Sequence, residues 1–319
     1  MTNPERARVN RYLFAVGATV FAGFFVAVQS RINGEFGVAL GHGALAALVS
    51  FSSGLVILTI VLAFRKKARQ GLTVVWAAVR SGELPWWTTM GGAGGAFLVL
   101  TQGLSAGVLG VALFTIAVVT GQTLGALVID AKGWFGALRV PLTLWRVTGA
   151  VVVLAGVVIA LDMGNGGFSF SPTLFILPLV AGTGLGYQQA VNGRIRTLSN
   201  SPLGATFVNF AIGTLVLALV FVVSLAFVDV PTTWPSAWWL WMGGAVGVMF
   251  IAIQVSTVTV IGVLGLGVSL VTGQLLGSLV LDALVPVATS NQSMTTVIGA
   301  LVTLAGSAMV TLTKKSKSS

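Results

Sequence analysis

VTGQTLGALVID, residues 119–130, is written again as VTGQLLGSLVLD at 271–282, with nine of twelve positions identical. Gln122 answers Gln274, Asp130 answers Asp282, and Gly121 and Gly125 answer Gly273 and Gly277. Further out, QSRINGEFG at 29 matches QQAVNGRIR at 188, and WWTTMGGAGG at 86 matches WWLWMGGAVG at 238. Gln102 matches Gln254, and GAVVVLAG at 149 matches GALVTLAG at 299. The separations are 159, 152 and 150 residues, so one module occurs twice and its copies differ mainly in loop length.

Composition decides the solvent. Of 319 residues, 56% are hydrophobic and 8% charged, with a mean hydropathy of +1.00. A soluble domain carries about 25% charged residues, so this chain is built for lipid. It has no cysteine and a single histidine, His42, which excludes thiolate zinc sites, cysteine nucleophiles and multi-histidine metal centres. No Walker loop, GxSxG elbow or cluster of intramembrane carboxylates occurs, so neither ATP-driven work nor an enzyme is expected, and no cofactor. His42 falls in a loop and reads as a solvated residue.

A membrane span needs roughly 20 apolar residues. Ten stretches qualify: 12–30, 43–64, 85–104, 107–130, 144–162, 173–191, 202–227, 236–256, 259–284 and 294–313. The predicted fold class is therefore an all-α polytopic membrane protein. Its first five-helix repeat spans 1–163, a Gly/Asn/Ser/Pro linker covers 164–172, and the second repeat spans 173–319. With the N-terminus inside, 16 of the 17 basic residues fall on the inner side and only Arg31 lies outside. Five is odd, so the second copy enters the membrane upside down. The loop charges agree: 65–84 holds five basic residues, whereas its twin at 228–235 holds none and carries Asp229. Two inverted five-helix repeats, N-in and C-in, are the architecture of secondary transporters, with a site near the midplane. Tryptophans at 86–87 and 238–241 begin spans at the two interfaces, where anchoring explains them.

Polar side chains in hydrocarbon are costly and mark candidate sites. Gln122 and Gln274, deep in their spans, suit contact with a polar solute or an interhelical hydrogen bond. Asn209, opposite Ser50, and the pair Gln102 and Gln254 are further substrate-contact candidates. Asp130 and Asp282 end their helices against the macrodipole and require partners. For Asp130, Lys132 and Arg139 are nearby, while Asp282 has no basic residue within ten positions. These acids read as gating or coupling groups. Gln29 with Asn33 and Gln188 with Asn192 are placed with them, where Asn-Gly signals a turn and capping.

Two five-helix repeats with GQ and a later Asp in the fourth span, Q…NG after the first, and the VTGQxxGxLVxD block resemble the drug/metabolite transporter superfamily. Within it they resemble the YdcZ-like family, whose short members are single five-helix proteins and whose long members are fused pairs. The resemblance covers nearly the whole chain and implies a transporter of the bacterial inner membrane with its cavity between the repeats. Four-helix multidrug relatives carry a glutamate in the first helix; here neither 12–30 nor 173–191 contains an acid, which favours a neutral or zwitterionic metabolite. The expected function is secondary transport of a small polar metabolite or drug-like solute by alternating access. A passive channel and a non-transporting scaffold are the alternatives. Expected partners are the solute and the lipid bilayer, with a homodimer allowed and no nucleic acid.

Overall fold

Hydrocarbon offers backbone N–H and C=O groups no water, so an apolar chain closes those bonds within helices. The computed structural model describes residues 3–136, 139–161, 172–285 and 294–311, and the regular structure among them is entirely helical. The helices are α1 (Asn3–Leu40), α2 (Gly43–Ala63), α3 (Lys66–Ser81), α4 (Trp86–Leu109) and α5 (Val111–Lys132). After them come α6 (Leu144–Ala160), α7 (Pro172–Ser199), α8 (Pro202–Ser224), α9 (Gly243–Leu284) and α10 (Met294–Thr311). Nine helical segments among the described residues are long and apolar enough to cross a membrane, and α6 is a shorter apolar helix.

Local chemistry sets the boundaries. Ser201 Oγ accepts from Gly204 N at 3.1 Å and Pro202 follows it, the usual opening of a helix. Left-handed Gly82 and Gly133 close α3 and α5. α4 begins as a 3₁₀ turn, Trp86–Met90, and widens to a π turn at Gln102–Ala106. Gly110, at φ +79°, then separates it from α5.

Helical backbone is continuous over the 42 residues of α9, a length of about 63 Å if straight. It is not straight. Gln29 Nε2 donates to Gly243 O at 2.9 Å, and Arg31 lies 3.8 Å from Asp282, so both ends of α9 meet one stretch of α1. Near the other end, Thr19 Oγ1 bonds Thr257 Oγ1 at 2.9 Å, and Gly23 touches Leu270. The run therefore folds back between Thr257 and Gly265 and supplies two spans, Trp238–Thr257 and Gly265–Leu284.

Glycine sets how the helices cross. A Cβ on Gly121 would overlap the carbonyl oxygen of Leu179, and one on Gly182 that of Val118, which locks α5 to α7. At the positions 152 and 159 residues on or back, Gly273 meets Val20 O and Gly23 meets Leu270 O, locking α9 to α1 in the same way. Between α6 and α10, Gly149 faces Gly306 while Gly156 faces Gly299, so these two helices run antiparallel. Phe51, Leu58, Phe210 and Leu217 fill the space between α2 and α8, and Phe114, Leu185 and Leu275 pack where α5, α7 and α9 meet.

Several sequence expectations change. α1 continues ten residues past position 30 and α7 eight past 191, so Asn33-Gly34 and Asn192-Gly193 lie inside helices rather than in turns. The reason at Gly34 is contact: a Cβ there would strike Ala106 and Gly107, which only a glycine lets approach. The basic stretch 65–84 holds α3, whose Ala68, Gly71, Val75 and Ala78 pack on neighbouring helices while its lysines and arginines stay exposed. His42 is 3% exposed, not solvated: its Nδ1 accepts from Leu45 N at 3.2 Å and opens α2, with the ring against Phe221. Of the linker expected at 164–172, Pro172 begins α7; residues 164–171, like Lys314, Lys315 and Lys317, lie outside the described residues.

Candidate functional site

A cavity of about 30 Å³ lies where α1, α4, α7 and the two limbs of α9 converge. Five amides line it: Gln29, Gln188, Gln189, Gln254 and Gln274. The rings of Phe51, Phe210 and Phe250 supply much of the remaining wall. None of its lining side chains is ionisable.

The seats of Gln29 and Gln188 match. Gln29 lies over Gly247 and Gln188 over Gly95, where any side chain would displace the amide. One turn on, Asn33 Oδ1 is held against Gly243 and Asn192 Oδ1 against Gly91. Behind them stand Ser50, beside Gly243, and Asn209, whose Nδ2 donates to Asn192 Oδ1 at 3.3 Å. Each residue of one set is separated from its counterpart by 159 residues on the α1, α2, α7 and α8 side, or by 152 on the glycine side. The sets are rich in unspent polarity. Buried atoms without a hydrogen-bond partner among the described residues include the Oε1 of Gln29, Gln122 and Gln274, the Oδ1 of Asn33 and Asn209, and Ser50 Oγ. Such atoms cost about 1–3 kcal/mol each unless something meets them.

Beyond these seats the matching ends. Gln102 is fully buried: its Oε1 accepts from Asn33 Nδ2 at 2.7 Å and its Nε2 donates to Ser30 Oγ at 3.0 Å. Its counterpart Gln254 is half-buried on the cavity wall. Asp282 is buried and accepts from Val111 N at 3.1 Å and Ala112 N at 2.7 Å, capping α5 where the dipole favours an anion. The partner its sequence neighbours could not supply is Arg31, which also pairs with Glu35. Asp130 caps no such pair: its Oδ2 accepts from Arg146 Nη2 at 2.6 Å. Neither Lys132 nor Arg139 is that partner; Arg139 Nε donates instead to Ala131 O at 3.2 Å. Arg146, counted as a loop charge from sequence, is buried in α6, where it also donates to Val310 O at 3.0 Å and Val140 O at 3.3 Å.

Asp130 and Arg146 border a second cavity of about 110 Å³ between α5, α6, α7, α9 and α10. Gln122, Thr123 and Ser307 line it, with Thr123 Oγ1 and Ser307 Oγ 2.9 Å apart. Gln189 lines both cavities. Thus Gln274 and Gln122, twins in sequence, border different spaces. Asn209 and Ser50 lie behind the central wall, Gln102 is sealed away, and Gln29 and Gln188, expected as caps, face the cavity. Sequence reasoning missed Gln189 and Arg146. Gln189 aligns with Ser30 and Arg146 with Thr296, so the repeat did not flag either; only their burial in apolar helices could have.

No curated protein sequence matches the chain. Eight chains of solved structures do. One crystal structure has a TM-score of 0.53 at 19% identity, over 94% of this chain and 96% of the other, which is a likeness of fold. Two successive stretches, residues 14–159 and 173–309, match a drug/metabolite transporter family described as "Putative inner membrane exporter, YdcZ". That is a family of membrane exporters rather than of enzymes, and its location agrees with the apolar spans of a multi-pass protein of the bacterial inner membrane. With the family pattern running twice through a chain of glutamine-lined, glycine-crossed helices, this protein belongs to the YdcZ family of drug/metabolite transporters in its two-repeat form.

Proposed function

We propose that the protein is a secondary transporter that carries a small polar solute across the inner membrane by alternating access. Its ten spans form two inverted five-helix repeats, 1–163 and 173–319, with both termini inside. The antiparallel α6–α10 crossing and the one-sided distribution of basic residues support that arrangement. Gln29, Gln188, Gln254 and Gln274 hold the solute between the repeats. One observation carries the reading: equivalent residues of the two halves are in different states. Asp282 caps α5 and Gln102 is locked to Asn33 and Ser30 at one end, while Asp130 faces a cavity and Gln254 stands half-free at the other. Two halves of like sequence exchanging these states would open one end as the other closes. In the N-in orientation the sealed end is outer, and the state is inward-open. The family description favours export as the direction.

The test is counterflow in proteoliposomes with a panel of labelled nucleosides, amino-acid amides and sugars. Entry of at least one label should accelerate several-fold when the same unlabelled solute is inside, because a carrier returns faster loaded than empty. Flux indifferent to the internal solute would make the protein a channel, and absence of flux across the panel would leave a scaffold.

A further inference from the structure

We infer that the central cavity selects uncharged, planar solutes that donate N–H hydrogen bonds, and rejects cations, anions and zwitterions of the same size. This rests on the transporter reading of that cavity and adds the chemistry of what occupies it.

Gln29 fixes the polarity required. An amide is ambiguous in principle, since rotation by a half-turn exchanges its donor and acceptor. Here Nε2 is committed to Gly243 O at 2.9 Å, so rotation would set two oxygens against each other. That fixes Oε1 as an acceptor, and it has no partner although Gln29 lines the cavity and is only 2% exposed. Gln274 Oε1, on the α9 side and equally buried, is a second unpartnered acceptor on the same wall. Unmet amide oxygens on two lining residues call for a solute with N–H groups. An ammonium would also donate, but no lining side chain carries a negative charge to balance it, and a carboxylate meets no positive one.

The charges of the neighbouring cavity are spoken for. Arg146 and Asp130 belong to the adjoining cavity, where the guanidinium gives hydrogen bonds to Asp130, Val140 O and Val310 O. A charged solute could pass them and would still rest in a room without a counter-ion. The walls add shape: Phe51 and Phe210 lie with centroids 4.9 Å apart and planes 32° from parallel, and Phe250 joins them. Such rings receive a flat apolar or aromatic face. Gln189 alone stands in the lining of both this 30 Å³ cavity and its 110 Å³ neighbour, so a ring larger than the central space takes its room from a shift of that side chain.

Three probes share one ring and differ in charge: benzamide, benzylamine (a cation at pH 7) and benzoate. Their binding to the purified full-length chain in detergent is measured by calorimetry. Benzamide should bind most tightly, and Gln29→Leu and Gln274→Leu should each weaken it about tenfold. Gln254→Leu serves as a second lining variant should either fail to fold. Gln274→Glu should shift preference to benzylamine. Tighter binding of either ion by the natural sequence, no binding of any probe, or benzamide affinity unmoved by these Leu variants would overturn the inference. Selective benzamide binding without counterflow would sink the carrier alone. Counterflow of a charged solute would sink the selectivity and leave the carrier standing.

Discussion

Gln102 and Gln254 are the same residue of the module, 152 positions apart, and do opposite things. Both amide atoms of Gln102 are spent on Asn33 and Ser30 in a fully buried site, whereas Gln254 stands half-buried at a cavity. Removing the first leaves a buried amide donor unmet, so Gln102→Leu should destabilise the protein by about 2 kcal/mol. Gln254→Leu should stay within about 0.5 kcal/mol, as at other positions without a buried partner. Thermal melts of both variants in one detergent check this, and equal losses would show that Gln254 is as much a structural bond as Gln102. Asp282 and Asp130 divide similarly. Asp282 holds two backbone N–H groups of α5, so Asp282→Ala should cost more stability than Asp130→Ala, whose loss frees Arg146 beside a cavity.

At the scale of elements, glycine contacts decide which helices approach. Gly121 has the Leu179 carbonyl where a Cβ would go, so Gly121→Ala must push α5 from α7 and should cost about 1–3 kcal/mol. Gly193, also within a helix, has open space there, and Gly193→Ala should gain about 0.5–1 kcal/mol from the backbone alone. A melt in which both variants lose stability alike would mean that helix crossing does not set the difference. The glycine pairs were legible in the sequence because a repeat preserves them in register, and so were the apolar spans. α3 was not, because a reading by apolar runs sees only its four basic residues and Arg65 before them, and passes over Ala68, Gly71, Val75 and Ala78 at helical spacing. Asn33-Gly34 misled for a related reason. Glycine there serves contact with α4 and not a turn, and local sequence cannot tell the two apart. The cavity is half legible: depth in an apolar span marks Gln274 and Gln254 for substrate contact, but Gln29 and Gln188 read as caps in sequence because an Asn-Gly follows each and hides that α1 and α7 run on.

For the molecule as a whole, orientation is open to direct measurement because the chain has no cysteine. A single cysteine at exposed position 70 on α3, in the variant Gln70→Cys, should resist an impermeant maleimide added to intact cells, while Thr232→Cys should react. The reverse pattern would place the basic loops outside and overturn the N-in arrangement. The α6–α10 crossing carries a consequence of another kind. Gly149 aligns with Gly299 and Gly156 with Gly306, yet the contacts are Gly149 with Gly306 and Gly156 with Gly299. In both pairs each glycine meets its counterpart's partner, the hallmark of a self-complementary patch. One helix of the module thus holds both the lock and the key. A genetic change copied from one half of the gene to the other would strike the joint at both ends at once, so the two copies can drift elsewhere but must keep faith here.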